Sequence, residues 1–128
     1  MSAIAIRNLD HVVIRASDLD RSLAFYCEVL GCTEERRVDR IGLVQLRAGS
    51  CMIDLVDAKD NPPEGARNMD HFAVRLESFD EAAIRAFLAE HGIASDEAKS
   101  RYGAEGDGPS IYVEDPDGNT VELKGPPY

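Results

Sequence analysis

Two histidines and two carboxylates recur at matching places in two halves of this chain. His11 lies in Leu9-Asp10-His11-Val12-Val13-Ile14-Arg15 and His71 in Met69-Asp70-His71-Phe72-Ala73-Val74-Arg75, sixty residues apart. After each copy come a helix-like segment ending at glycine, weaker strands, and an apolar strand with one acid at its centre. That strand reads Ile53-Asp54-Leu55 in the first half and Val121-Glu122-Leu123 in the second. Side chains alternate faces along a strand, so His11 shares a face with Val13 and Arg15, while Asp54 and Glu122 lie opposite their apolar neighbours. One face of each strand can pack beneath a helix and the other carries the donors. Two neutral imidazoles with two carboxylates form a hard-to-borderline set suited to Zn²⁺, Ni²⁺, Mn²⁺, Co²⁺ or Fe²⁺, with water or substrate completing the sphere.

Each of these residues also has a plain structural reading. A lone strand histidine is more often a satisfied core residue than a ligand, and Val-Glu-Leu-Lys equally describes an amphipathic strand with Glu122 in solvent. The repeat favours the site, because Asp is disfavoured within strands and a poorly solvated carboxylate needs a cation or a donor. His91 has no repeat partner and is read as a surface residue at a helix end. Arg15 and Arg75 repeat as well, and pairing with surface acids is the plain reading of each. Tyr102, in a glycine-rich stretch, is a substrate contact or an exposed aromatic.

The elements that must position these groups follow the same duplication. Residues 9–15 read as a strand, and Leu19, Leu23, Tyr26 and Leu30 recur at helical spacing before Gly31. Segments near 33–39, 42–47 and 51–57 read as short strands. The stretch 57–68, with Pro62, Pro63 and Gly65, has the composition of a connection. The second half restarts with a strand at 69–76. Ser78-Phe79-Asp80-Glu81 predicts a capping box, with Ser78 as the cap, and Ile84, Phe87 and Leu88 give the following helix its apolar stripe up to Gly92. Residues 99–109, with Gly103, Gly106 and Gly108, read as a mobile loop before a strand at 110–114. Asp115-Pro116-Asp117-Gly118 is a tight turn and 119–124 a final strand. The order is βαβββ twice: module one at about 7–57, a linker at about 58–68 and module two at about 69–124.

Composition sets the outer bounds. With 128 residues, 44% of them hydrophobic, the expectation is one α+β domain made of two half-domains that share a core, since ~60 residues alone bury too little apolar surface. No apolar run approaches the ~18 residues of a membrane span, and the N-terminus lacks a signal-peptide layout; a cytoplasmic protein is expected. Cys27, Cys32 and Cys51 lack Cys-x-x-Cys spacing and suggest neither disulfides nor a thiolate metal site. A net charge of −10 argues against nucleic acid and anionic membranes as partners. It suits a metal cation or a cationic drug.

Leu9-Asp10-His11, the stretch from Leu19-Asp20-Arg21-Ser22-Leu23-Ala24-Phe25-Tyr26 through Leu30-Gly31, and Asp115-Pro116-Asp117-Gly118-Asn119 before Val121-Glu122-Leu123 resemble the vicinal oxygen chelate superfamily. Its members include glyoxalase I, fosfomycin-resistance thiol transferases, extradiol dioxygenases and bleomycin-binding proteins. The resemblance implies tandem βαβββ modules forming a cup-shaped, partly closed β-sheet barrel around a metal. It places metal ligands at His11, Asp54, His71 and Glu122, catalytic carboxylates at Glu122 and Asp54, and a substrate contact at Arg15, beside which Tyr102 of the glycine-rich stretch is taken as a second substrate contact. Three departures stand out. Asp54 is one methylene shorter than the Glu or Gln of glyoxalase I-like enzymes, Ala58 falls where a glutathione-binding asparagine is expected, and Val13 replaces the threonine of fosfomycin-type enzymes.

The implied function is a metal-dependent glyoxalase I-like lyase or isomerase on a small oxygen-chelating substrate, with the metal as Lewis acid and a carboxylate moving the proton. A thiol cosubstrate such as glutathione is possible within that group. The alternatives are a non-catalytic bleomycin-type binder, a fosfomycin-type thiol transferase or an Fe(II) dioxygenase-like enzyme. Exposed sheet edges and the family pattern imply a homodimer, with modules paired within or across chains.

Overall fold

The computed structural model describes residues 8–9, 11–58, 69 and 71–128. Two compact units, Met1–Pro63 and Glu64–Tyr128, divide the chain. Most of the expected linker, 59–68, lies outside the described residues; Ala58 is buried and its amide donates to the Ala16 carbonyl at 2.8 Å.

In the first unit, β1 (His11–Ala16) leads to α1 (Leu19–Leu23), then β2 (Thr33–Val38), β3 (Leu43–Ala48) and β4 (Cys51–Asp57). The Asp18 carboxylate caps α1 by accepting from the Arg21 amide at 3.1 Å. The expected single helix is not uniform: beyond Leu23 the chain widens into a π-helical turn over Ala24–Val29. Gly31 then adopts a positive φ of 79°, a conformation glycine reaches without a Cβ penalty. The turn buries Phe25 and Tyr26, whose rings meet edge-to-face at 5.0 Å.

The sheet order is β1-β4-β3-β2, with β1 parallel to β4 and the other pairings antiparallel. Register puts Ile14, Leu55 and Val44 in one row and Leu46 beside Ile53; these five side chains are buried on one face. Burying them supplies the unit's apolar driving force, about 1.5–3 kcal/mol per side chain. The opposite face carries His11, Val13 and Arg15 with Asp54.

The second unit repeats the plan with β5 (His71–Arg75), α2 (Glu81–Glu90), β6 (Lys99–Gly103), β7 (Gly106–Glu114) and β8 (Thr120–Lys124), in sheet order β5-β8-β7-β6. The duplicated βαβββ order is thus observed in full. Among the described residues each sheet is open rather than closed on itself, with its first and second strands at the two ends of the order.

Two local expectations are corrected. Asp80, not Ser78, caps α2 by accepting from the Ala83 amide at 3.1 Å, and Glu81 instead accepts from the Ala98 amide at 2.9 Å. Asp80 wins because a short carboxylate at this position reaches the third amide ahead of it. Residues 99–109 form an antiparallel hairpin rather than a mobile loop, with Arg101 opposite Gly108 and Gly103 opposite Gly106. On α2, Leu88 is buried but Phe87 is largely exposed, its ring 4.7 Å from that of His91. Among the described residues no helix is long and apolar enough to cross a membrane.

Candidate functional site

β8 is delivered by the Asp115 turn. The Asp115 carboxylate accepts from the amides of Asp117 at 2.9 Å and Asn119 at 2.8 Å and from the Asn119 side chain at 2.8 Å. Gly118, with φ of 77°, completes the reversal. Parallel pairing then sets His71 opposite Thr120 and Ala73 opposite Glu122. His71 and Glu122 therefore lie diagonally on one face, and the longer Glu side chain closes the gap: His71 Nε2 stands 3.4 Å from Glu122 Oε1. Glu122 is 6% exposed.

Tyr112, opposite Glu122 on β7, flanks the pair, with its ring 5.4 Å from that of His71. It is itself held. The Arg101 guanidinium covers the Tyr112 ring at 3.9 Å and donates to Ser110 Oγ at 2.7 Å, and Asp96 accepts from the Tyr112 amide at 2.8 Å. A cavity of about 260 Å³ opens on this face, bounded by His71, Glu122, Arg75, Tyr102, Glu105 and Lys124 among others. Tyr102 is 82% exposed on β6, and Arg75 forms an ion pair with Glu105 at 3.1 Å.

In the first unit, the equivalent row runs Val13, Asp54, Gln45 and Arg36 across four strands. Arg36 donates to Gln45 Oε1 at 3.0 Å, and Gln45 Nε2 donates to Asp54 Oδ2 at 3.1 Å. Asp54 is 4% exposed and its Oδ1 has no hydrogen-bond partner. A buried carboxylate oxygen left unsatisfied costs free energy of about 1–3 kcal/mol or more, so a cation there would be welcome. His11 is exposed at the start of β1, on the Asp54 face, and Arg15 is exposed on the same face.

Among the described residues no group of three or more His, Cys, Asp or Glu side chains gathers as a metal site. The second unit brings together one pair, His71 with Glu122; the first places Asp54 on a face shared with His11. The chemistry of this donor set still fits a divalent ion. Two ligand atoms each ~2.0–2.2 Å from one tetrahedral ion sit about 3.4 Å apart, which is the spacing of His71 and Glu122. The orphaned Asp54 oxygen is a second observation of the same kind.

Four contributors escape a motif search. Gln45, Tyr112, Arg101 and Lys124 carry no repeat and no signature; only knowledge of cross-strand register makes Gln45 and Tyr112 neighbours of the acids. Lys124 was visible in Val121-Glu122-Leu123-Lys124 as the next residue on the Glu122 face, where alternation alone reads it as solvent-facing.

The chain matches the model of the Glyoxalase/Bleomycin resistance protein/Dioxygenase superfamily over residues 8–123. It is 32% identical over 126 residues to the catechol-2,3-dioxygenase of Bacillus subtilis, an alignment covering 91% of this chain and 40% of that protein. The chain thus spans about two fifths of that relative's length. It is 30% identical over 131 residues to the glyoxalase domain-containing protein RDO1 of Mycosarcoma maydis, covering 94% of this chain and 69% of that one. The crystal structure of virulence protein STM3117 from Salmonella typhimurium superposes with a TM-score of 0.75 at 27% identity, covering 95% of this chain and 98% of that one.

Proposed function

Because the chain belongs to the glyoxalase/bleomycin resistance protein/dioxygenase superfamily, we propose that it is a metal-dependent lyase or isomerase of the glyoxalase I-like kind, acting on a small substrate with neighbouring oxygens. The observation that carries this reading is the His71–Glu122 pair at 3.4 Å, facing a cavity of small-molecule size. His71 and Glu122 would hold the ion together with His11 and Asp54, whose buried oxygen lacks any other partner. Among the described residues no group of three donors gathers, and the four proposed ligands are drawn in pairs from the two halves of the sequence.

A bound divalent ion supplies Lewis-acid polarisation of a substrate carbonyl. The chain's own residues do the remainder. Glu122, buried at the cavity wall, takes a proton from the carbon beside that carbonyl and returns it to the neighbouring carbon. Tyr112, pinned by Arg101 and Asp96, keeps the His71 ring in place. Tyr102 contacts substrate at the exposed rim of the cavity, whose walls limit substrate size, and Arg15, exposed on the Asp54 face of the first unit, is the second proposed substrate contact. A homodimer in the cytoplasm is the setting proposed for this activity.

Solvent-deuterium uptake at the carbon beside the carbonyl, followed by NMR across a panel of small hydroxyketones, their carboxylated and phosphorylated analogues, and hemithioacetals, tests the proposal. Uptake that needs the metal and is lost in Glu122→Gln is expected. Failure of metal-loaded protein to exchange any member of the panel would contradict it. The dioxygenase reading has one observation in its favour, the 32% identity to the Bacillus subtilis protein. Oxygen consumption with catechol in place of deuterium uptake would select it.

A further inference from the structure

Lys124 is the one buried cation of the cavity wall, 8% exposed, on the same face of β8 as Glu122. Its ammonium has three donors to place, yet among the described residues its one hydrogen bond is long, 3.5 Å to the Gly106 carbonyl. Among the described residues no carboxylate lies within ion-pair distance of it. The nearby acids are engaged elsewhere, Glu105 by Arg75 and Glu122 beside His71. In a chain of net charge −10, a buried ammonium without a counter-ion is not for want of acids. Burying such a charge unpaired is costly. The surroundings nevertheless keep room for it: a Cβ on Gly108 would fall 3.0 Å from Lys124 Nζ and 2.7 Å from the Pro126 carbonyl oxygen. Glycine there lets the ammonium lie against the β7 backbone at the cavity wall.

We infer that Lys124 is the anchor for an anionic group of the substrate, a carboxylate or a phosphoryl group. The inference rests on the reading of this cavity as the substrate site and narrows it to a class. Lys124 and Glu122 stand two residues apart on one face of β8 and line the same cavity, so the substrate carries its anion on the wall that also holds the atoms meeting His71 and Glu122. It is therefore a short oxygenated acid or a small phosphate ester rather than a neutral carbonyl compound. Arg75, already bridged to Glu105, helps only if that bridge opens; Lys124 needs no such rearrangement.

The chain has three lysines, Lys59, Lys99 and Lys124, so side-chain NMR of lysine resolves them individually. Inorganic phosphate and acetate are titrated separately into the full-length protein at constant ionic strength set with chloride. The Lys124 signal is expected to shift saturably with one of these anions while Lys99 does not. Lys124→Met is expected to raise the Kd by at least about tenfold, a difference of about 1.4 kcal/mol. Preference for phosphate assigns a phosphoryl group and preference for acetate a carboxylate. An unmoved Lys124 signal, or undiminished binding in Lys124→Met, overturns the inference, and the wild-type signal decides alone should the variant not fold. Glu122→Gln keeps the anion response while weakening metal. In the wild type, no metal uptake alongside a saturable anion response defeats the metal reading only, and metal uptake with an unmoved Lys124 signal defeats this one only.

Discussion

Replacing Asp54 by Asn separates a ligand from a structural acid, because the two roles predict opposite signs. In the metal-free protein Asn still accepts from Gln45 Nε2 through its carbonyl oxygen, so the 3.1 Å hydrogen bond survives in neutral form. Going from a charged to a neutral acceptor costs about 1 kcal/mol. Against that, the variant exchanges the charged carboxylate oxygen Oδ1, which has no partner, for a neutral amide nitrogen that is cheaper to bury than a charge, relieving about 1–3 kcal/mol. The net expectation without metal is a change between zero and about 2 kcal/mol in favour of the variant.

With metal the sign reverses. A ligand at a hundredfold excess over its Kd stabilises the wild type by about 2.7 kcal/mol, which for 128 residues corresponds to a rise of about 10 °C in Tm, taking ~2.1 cal/mol/K of unfolding entropy per residue. Asp54→Asn is expected to lose most of that rise. The assay is calorimetric melting of both proteins after chelator treatment and after addition of Zn²⁺, Mn²⁺ or Ni²⁺. An equal loss of stability in both conditions, with the metal-induced shift intact, would refute the argument and make Asp54 a structural residue held by Gln45.

Further outcomes follow from other parts of the fold. Asp115→Ala removes three hydrogen bonds that bend the chain into β8, and a loss of about 3 kcal/mol is expected in urea melts, with Asp115→Asn intermediate. Burial pushes the Cys32 thiol up to about 11, with the Cys27 and Cys51 thiols adding to it. A group whose folded value is raised contributes stability that is full below the ordinary 9.0 and is lost as pH climbs through about 11. The urea midpoint should accordingly fall across that window, and Cys32→Ala should flatten the fall. Where modules pair across subunits, mixing His11→Ala with Glu122→Ala protein should recover metal binding in some mixed dimers. No recovery argues for sites within one chain, and a monomeric mass at working concentration rejects the dimer altogether.

The duplicated architecture was legible because it is written twice: the His11 and His71 segments, the glycines after each helix and the acids of β4 and β8 all recur. What stayed hidden depends on register and local competition. Ser78 and Asp80 both qualify as caps by type, and only the backbone entering α2 decides between them. Gly103, Gly106 and Pro109 disguise β6 and β7 as a loop, although a hairpin needs its glycines at the turn and tolerates proline where no ladder amide is used. The π-helical turn at Ala24–Val29 leaves no residue signature, since it changes the spacing of hydrogen bonds and not the apolar pattern. At the site, the strand-borne donors could be read from alternation, whereas Gln45, Tyr112 and Lys124 acquire meaning only from their cross-strand neighbours.

Elemental analysis of protein purified without chelator tests the central claim most directly, performed side by side on wild type, His71→Ala and Glu122→Gln. About one divalent ion per chain is predicted for the wild type, with a fall of at least about tenfold in metal affinity for each variant. Wild-type protein without metal that also takes none up on dialysis, or variants that retain the full complement, would contradict the account.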